Sequence, residues 1–222
     1  MWETIASFNR AAATYDEWYR TPLGEYVLQA EVNGLNVLLP DKGRGAEFGA
    51  GTGIFAQYLK TTHRTILCVD PAVEMLRKAQ RRGLQGILGT AETPPIKSRS
   101  LDFIYLVLVV EFLREPIAAL ASLRYLLKPK SSITLLIINK ESAWGSAYSK
   151  AGKQGDPIFR NATFYTLQDA VGFLEQSGYR FDTALGTLYI PPDAISKSKP
   201  CPTSRPPTKA KAGVFLVRGT EI

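Results

Sequence analysis

The sequence predicts a doubly wound α/β fold, in which helices cover both faces of a mostly parallel sheet. From residue 44 onward, short apolar strand candidates alternate with amphipathic helix candidates, as expected for parallel strands joined by helical crossovers. The strand candidates are continuous apolar runs, which is typical of strands buried on both faces. The chain has 222 residues, of which 45% are hydrophobic and 21% charged, a composition suited to a folded domain.

Helices are expected before that alternation begins. Apolar residues recur at steps of three and four over residues 2–19, and a second helical stretch follows Pro22 and closes at Pro40. The next strand candidates are residues 44–48, 65–69, 84–88, 101–109 and 132–139. The helix candidates between them are residues 54–60, 72–81 and 117–127.

The C-terminal part departs from this rhythm. Thr166 and Asp169 form a capping-box pattern that predicts a helix through Leu174. Strand candidates 179–189 and 214–217 follow with no helix between them, so we expect antiparallel neighbours at one edge of the sheet.

The net charge of +7 is concentrated in one stretch. Between Asp193 and Lys211 five basic residues stand against one acidic residue, a difference of +4, and the prolines of residues 191–207 predict an extended basic loop at 191–211. Its basic residues are not interleaved with aromatic residues, and no nucleic-acid-binding module is recognisable. We therefore expect no nucleic-acid partner.

Several classes of protein are excluded by what the sequence lacks. No apolar run approaches the roughly 18 residues of a membrane helix, so no membrane span is expected. The first residues do not resemble a secretion signal, which makes the cytoplasm the expected location. Two cysteines and one histidine cannot supply a zinc cluster or a disulfide framework, so we expect no metal site.

The most informative stretch is residues 47–53, EFGAGTG, where the first strand gives way to a helix. Alternate glycines allow a tight turn and leave room for a ligand against bare main chain. A dinucleotide site would need glycine at position 54, where Ile54 stands. Glu47 suits a cationic ammonium but would repel a pyrophosphate. Asp70, at the end of the second strand, is positioned for the hydroxyls of a ribose.

Two acids, a glycine turn and no phosphate-binding lysine fit a ligand that has a ribose, an adenine and a positive charge but no phosphate. S-adenosylmethionine has these groups. The alternative is a tight turn without a ligand, with Asp70 as a helix cap ahead of Pro71.

At these residues the sequence resembles the class I S-adenosylmethionine-dependent methyltransferases, specifically the type-11 branch that includes ubiquinone/menaquinone C-methyltransferase-like proteins. The resemblance runs from about Phe8 to Ile138. The shared motifs are YDEW at 15–18, EFGAGTG at 47–53, VDP at 69–71 with Met75, GTAETPP at 89–95, SLDFI at 100–104 and LLKP at 126–129.

The resemblance implies a Rossmann-like seven-stranded sheet with an antiparallel edge strand, N-terminal helices, and a set of cofactor-binding residues. Glu47, Gly49, Ala50 and Gly51 would line the methionyl part, and Asp70 would hold the ribose. Around the adenine and the sulfonium it assigns Pro71, Met75, Thr90, Ala91, Glu92 and Leu106, with Tyr15 and Tyr19 closing over the cofactor. Because no internal repeat appears and only the basic stretch is of low complexity, we expect a single domain. It comprises a helical lid at 1–40, a cofactor-binding core at 41–140, a substrate cap at 141–166, and a C-terminal helix and edge strands at 167–222.

The acceptor side of such a site is predicted from two features. Glu111 follows the fourth strand at its carboxyl end, where it could take a substrate proton or hold a substrate amine; the alternative is a solvated residue at a helix start. The aromatic segment 143–165 is expected to cap the substrate pocket, or else to form a satellite core. We expect methyl transfer to a small molecule. The alternatives are an RNA or protein methyltransferase that uses the basic loop, and a non-catalytic cofactor-binding regulatory protein.

Overall fold

The computed structural model describes residues 2–197, 206–207 and 211–222. In chain order the α-helices are α1 Trp2–Ala11, α2 Tyr15–Trp18, α3 Pro22–Leu38, α4 Ile54–Leu59, α5 Val73–Arg81, α6 Pro116–Arg124, α7 Ala143–Lys153 and α8 Leu167–Gln176. The strands are β1 Gly43–Phe48, β2 Arg64–Asp70, β3 Gln85–Leu88, β4 Leu101–Val107, β5 Leu127–Ile138, β6 Tyr179–Thr187 and β7 Val214–Glu221. Short 3-10 helices occur at Val110–Phe112, Phe159–Asn161 and Pro192–Lys197.

The strands form one seven-stranded sheet in the order β3-β2-β1-β4-β5-β7-β6. The pairs from β3 to β5 are parallel, and β7 runs antiparallel to both β5 and β6. This confirms the predicted mixed sheet. Its antiparallel strand lies second from the edge, with β6 outermost. The chain changes direction across the sheet between β1 and β4, and α/β proteins bind ligands in the crevice that opens at such a point.

Helices cover both faces of the sheet, as the sequence predicts. One core layer contains Leu35 of α3, Phe55 of α4 and Leu76 of α5. The other contains Leu123 of α6 and Leu174 of α8. Because successive side chains of a strand point to opposite faces, strands β2, β4 and β5 contribute to both layers.

The N-terminal region differs from the single apolar stripe expected over residues 2–19. Helix α1 ends at Ala11, a turn follows, and α2 is a separate short helix. Trp2, at one end of the predicted stripe, is 79% exposed. The turn reorients the chain so that Asp16 reaches partners on the body of the protein.

Three further boundaries differ from the expectation for physical reasons. Strand β4 stops at Val107 because Leu108 adopts a positive φ of 52°. Strand β5 begins at Leu127, whereas the sequence predicts its start at residue 132. The apolar pattern does not reveal the first residues of this strand because most of them are polar. The expected basic loop begins with the 3-10 helix Pro192–Lys197, and most of the remainder, 198–205 and 208–210, lies outside the described residues. Within the described part, no helix is long and apolar enough to cross a membrane.

Candidate functional site

The glycine turn after β1 is shaped by three glycines with positive φ. Gly49, Gly51 and Gly53 have φ values of 69°, 54° and 74°. A Cβ atom at Gly49 would lie 2.3 Å from a methyl carbon of Val109, so this position has no room for a side chain. A Cβ atom at Gly51 would meet nothing within 4 Å, so the main chain there borders open space. The turn therefore presents bare backbone to a cavity, as the sequence predicts.

The side chain of Asp70 joins the glycine turn to the loop between β2 and α5. One carboxylate oxygen accepts the backbone N–H of Gly51 at 2.7 Å, and the other accepts that of Ala72 at 2.7 Å. Burial raises the pKa of Asp70 to about 6, and the two backbone bonds oppose the shift because they favour the charged form. The N-cap of α5 is Ala72, and no side chain caps this helix, so the helix-cap alternative for Asp70 is wrong. The carboxylate instead holds the two loops together and borders the cavity.

Glu47 is a buried acid at the base of the same cavity. Its side chain accepts a hydrogen bond of 2.9 Å from the Tyr105 hydroxyl. Burial raises the pKa of Glu47 to about 8. No lysine or arginine of the described part of the chain forms an ion pair with it. A cationic group placed beside Glu47 would favour its charged form.

We call this space the glycine-turn cavity. It lies between the glycine turn, the loops after β2 to β4, and the N-terminal helices. The predicted residues that line it are Tyr15, Tyr19, Glu47, Gly49, Ala50, Gly51, Asp70, Pro71, Met75, Thr90, Ala91 and Glu92. Further lining residues that the sequence analysis missed include Ile5, Phe8, Val107, Leu108 and Phe112.

The expectation for Leu106 is wrong. Leu106 is fully buried in the core layer that contains α6, and Val107, Leu108 and Val109 line the cavity instead. Val107 points to the opposite face from Leu106 because successive side chains of a strand alternate. Leu108 and Val109 follow the end of the strand, where the positive φ of Leu108 breaks this alternation. The fourth strand therefore does border the cavity, but with the residues that follow Leu106.

The N-terminal helices are held against the cavity by a polar cluster. Asp16 accepts a hydrogen bond of 2.6 Å from the Thr52 hydroxyl in the glycine turn. It also forms a 2.7 Å ion pair with Arg82, whose guanidinium donates to the Thr52 carbonyl as well. Asn9 accepts the backbone N–H of Glu74 at 2.9 Å. These contacts explain how Tyr15 is placed over the cavity.

A second space, which we call the aromatic cavity, adjoins the first and has a volume of about 450 Å³. It lies between α2, α3, α7 and the segment that follows α7. Residues that line both cavities are Tyr15, Tyr19, Leu108, Ile158 and Phe159. Residues that line the aromatic cavity alone include Trp18, Val27, Glu31, Ile138, Trp144, Tyr148, Ala151, Asp156 and Leu188. The aromatic segment 143–165 therefore does border a cavity, at the place where the sequence analysis expects a substrate.

Glu111 does not lie where the catalytic expectation puts it. It is 2% exposed, which also contradicts the alternative of a solvated residue. Its Oε1 accepts the backbone N–H of Ile138 at 2.8 Å, and it lines neither cavity. The acid that does line the aromatic cavity is Glu31 on α3, which the sequence analysis missed. Glu111 is close enough for its charge to raise the pKa of Glu31.

Comparisons with known proteins agree with this geometry. The family model of the methyltransferase domain matches residues 46–135, from the glycine-turn strand into β5. A crystal structure of an S-adenosylmethionine-dependent methyltransferase from Thermotoga maritima, described as a possible histamine N-methyltransferase, superposes with a TM-score of 0.87 at 27% identity and covers 99% of this chain and 100% of that chain. The chain therefore carries a methyltransferase domain and has the fold of an S-adenosylmethionine-dependent methyltransferase. It is therefore an enzyme with S-adenosylmethionine as its cofactor.

Two relatives extend the similarity to other organisms. This methyltransferase is 29% identical over 190 residues to an uncharacterized protein of Methanocaldococcus jannaschii, and the aligned region covers 86% of this chain and 89% of the relative. It is 30% identical over 184 residues to an uncharacterized protein of Mycobacterium tuberculosis, which covers 82% of this chain but only 63% of that longer relative. The ubiquinone/menaquinone-like branch stays a prediction.

The donor groups of the glycine-turn cavity fit this methyltransferase's cofactor. Glu47 is a buried acid that pairs with no cation of the described residues, Asp70 offers a carboxylate at the cavity wall, and Gly51 exposes its main chain. Apolar side chains such as Met75 and Ala91 complete the lining on the side where the adenine is expected. Within the described part of the chain, no group of three or more histidine, cysteine, aspartate or glutamate side chains is placed to hold a metal ion.

Proposed function

We propose that this methyltransferase transfers the methyl group of S-adenosylmethionine to a small molecule that binds in the aromatic cavity. The observation that carries the proposal is the shared wall between the two cavities, which includes Tyr15, Tyr19, Leu108 and Phe159. An acceptor on one side of this wall would adjoin a donor on the other. Cavities of this size are typical of small-molecule sites.

On the cofactor side, the assignments follow the charges and the bare backbone. Glu47 would hold the ammonium of the methionyl part, and Asp70 would accept hydrogen bonds from the ribose hydroxyls while keeping its bonds to the turn. Ala50 and Gly51 would contact the methionyl part through their main chain. Thr90, Ala91 and Glu92 would border the adenine, whose wall is otherwise apolar.

S-adenosylmethionine would supply a methyl group bound to a sulfonium, whose carbon a nucleophile attacks directly while the neutral thioether leaves with the electrons of the C–S bond. The protein's contribution is to align the acceptor with that methyl group and to exclude water, and alignment of this kind can lower a barrier by roughly 7–11 kcal/mol. Leu108 holds a strained backbone conformation, φ 52°, at the wall between the two cavities. Tyr15 and Tyr19 cover both cavities from the N-terminal helices and shield them from solvent.

The test is to fill the aromatic cavity while leaving the cofactor side intact. Ala151 lines only the aromatic cavity, so Ala151→Trp should abolish methyl transfer while the affinity for S-adenosylhomocysteine stays within about twofold. Ala147→Trp places the same side chain at an exposed position of the same helix and serves as the control.

The assay is incubation with S-adenosylmethionine labelled in its methyl group and separate small-molecule, RNA and protein fractions of a cell extract. We expect label in the small-molecule fraction, present with Ala147→Trp and absent with Ala151→Trp. Label in RNA or protein instead would favour the alternative acceptors and refute the proposal.

A further inference from the structure

Glu31 interrupts the apolar face of α3. It lies four residues after Val27 and four before Leu35, both of which are buried, and is itself only 1% exposed. Its Oε2 atom has no hydrogen-bond partner among the residues that the structure describes. Buried carboxylates are normally paired or hydrogen-bonded because an isolated buried charge is costly. A buried carboxylate oxygen without a partner, on a side chain that lines a cavity, therefore indicates a missing partner.

The surroundings of Glu31 favour a cationic partner. The other acid at the aromatic cavity is Asp156, and no lysine, arginine or histidine of the described residues lines it. Aromatic rings form much of the wall, with the ring centroids of Tyr148 and Phe159 4.4 Å apart and those of Trp144 and Tyr148 6.1 Å apart. Aromatic faces attract ammonium ions, and this attraction is stronger in a desolvated site.

The proposed function assigns the acceptor to this cavity, and on that basis we infer that the acceptor is an amine, which enters as an ammonium ion and pairs with the carboxylate of Glu31. Asp156 is less available as the partner because its Oδ1 already accepts the backbone N–H groups of Ile158 and Phe159, each at 2.9 Å. The aromatic rings would surround the cation.

The same carboxylate accounts for the proton that an amine must lose. The ammonium gives one proton to Glu31, and the neutral nitrogen then uses its lone pair to form the new C–N bond. The C–S bond breaks with its electron pair remaining on sulfur. The product leaves as a methylated ammonium ion, and the proton on Glu31 passes to solvent when the cavity opens.

Electrostatics support this inference. Burial, together with the charge of Glu111, raises the pKa of Glu31 to about 8, so a charged carboxylate is unfavourable there until a cation lies beside it. Burial raises the pKa values of the Tyr15, Tyr19 and Tyr148 hydroxyls, and the charge of Glu31 adds to each rise.

The inference is tested by binding, without knowledge of the natural acceptor. Phenethylamine and its uncharged analogue 2-phenylethanol are titrated by calorimetry into the full-length protein saturated with S-adenosylhomocysteine. We expect the amine to bind at least tenfold more tightly than the alcohol. Glu31→Gln should remove this preference while the alcohol's affinity stays within about twofold. Glu25→Gln removes an exposed charge from the same helix and should preserve the preference.

Equal affinity for the two probes, or no binding of the amine, would overturn the inference, and this comparison in the unmodified protein needs no variant. A preference that survives in Glu31→Gln would overturn the role of Glu31. Failure to bind S-adenosylhomocysteine, or methylation of RNA or protein, would refute the proposed function itself. Labelled small molecules that carry the methyl group on oxygen or carbon would refute only the amine assignment.

Discussion

Replacing Asp70 with asparagine should weaken cofactor binding about 10- to 100-fold. In the structure both carboxylate oxygens accept backbone N–H groups at 2.7 Å, one from Gly51 and one from Ala72. An amide side chain has one oxygen, so one of these N–H groups must face an NH₂ group, and the charge that would receive the ribose hydroxyls is lost. Hydrogen bonds to a charged group contribute roughly 1.5–3 kcal/mol, and every 1.4 kcal/mol is about tenfold in affinity.

The assay is calorimetric titration of S-adenosylhomocysteine into the folded variant. Asp102→Asn provides a matched control, because Asp102 also accepts a backbone N–H, from Arg44 at 2.8 Å, but lies at the start of β4, away from the cavity. The control should bind within about twofold of the parent. Equal affinities of the parent and a folded Asp70→Asn protein would refute the reasoning, because the carboxylate would then contribute nothing to the cofactor site.

Three further predictions follow from the same contacts. Gly49→Ala should lower the free energy of unfolding by about 2–5 kcal/mol, because the added Cβ meets a valine methyl at 2.3 Å and φ is 69°; Gly155→Ala, with φ 94° and free space, should cost less in the same denaturant titration. Asp16→Ala should speed proteolysis within α1 and α2, whereas alanine at the next residue, an exposed glutamate, should not. Burial raises the pKa values of Glu31 and Glu47 to about 8, so the folded protein keeps protons that the unfolded chain releases above about 4.5. The Tm of the cofactor-free protein should therefore fall from pH 5 to pH 8, and a rising Tm would contradict these shifts.

The elements that the sequence predicts well are those whose signals are local. The sequence correctly predicts the tight turn after β1 and the position of Asp70 at the end of β2, because both depend on residues that are adjacent in the chain. The capping box of Thr166 and Asp169 is present as predicted, with each side chain bonded to the other residue's backbone. The continuous apolar runs of the parallel strands identify them because burial on both faces leaves no polar alternation.

The predictions that the structure corrects concern features that are set by tertiary contacts or by the local path of the backbone. Leu106 and Leu108 are both apolar residues near the end of β4, and only the backbone geometry decides which one reaches the cavity. The break after α1 is favoured by partners of Asp16 that lie far along the chain. Glu31 could have been noticed in the sequence, since it is an acid on an otherwise apolar helix face. Its role could not be predicted, because the cavity beside it is formed by α7, more than a hundred residues later.

A crystal structure of the complex with S-adenosylhomocysteine tests the central claim most directly. The account predicts the ribose at Asp70, the ammonium near Glu47, and the sulfur atom at the wall shared by the two cavities, facing the aromatic cavity beside Leu108. A sulfur atom directed away from the aromatic cavity, or a ligand bound outside the glycine-turn cavity, would contradict it.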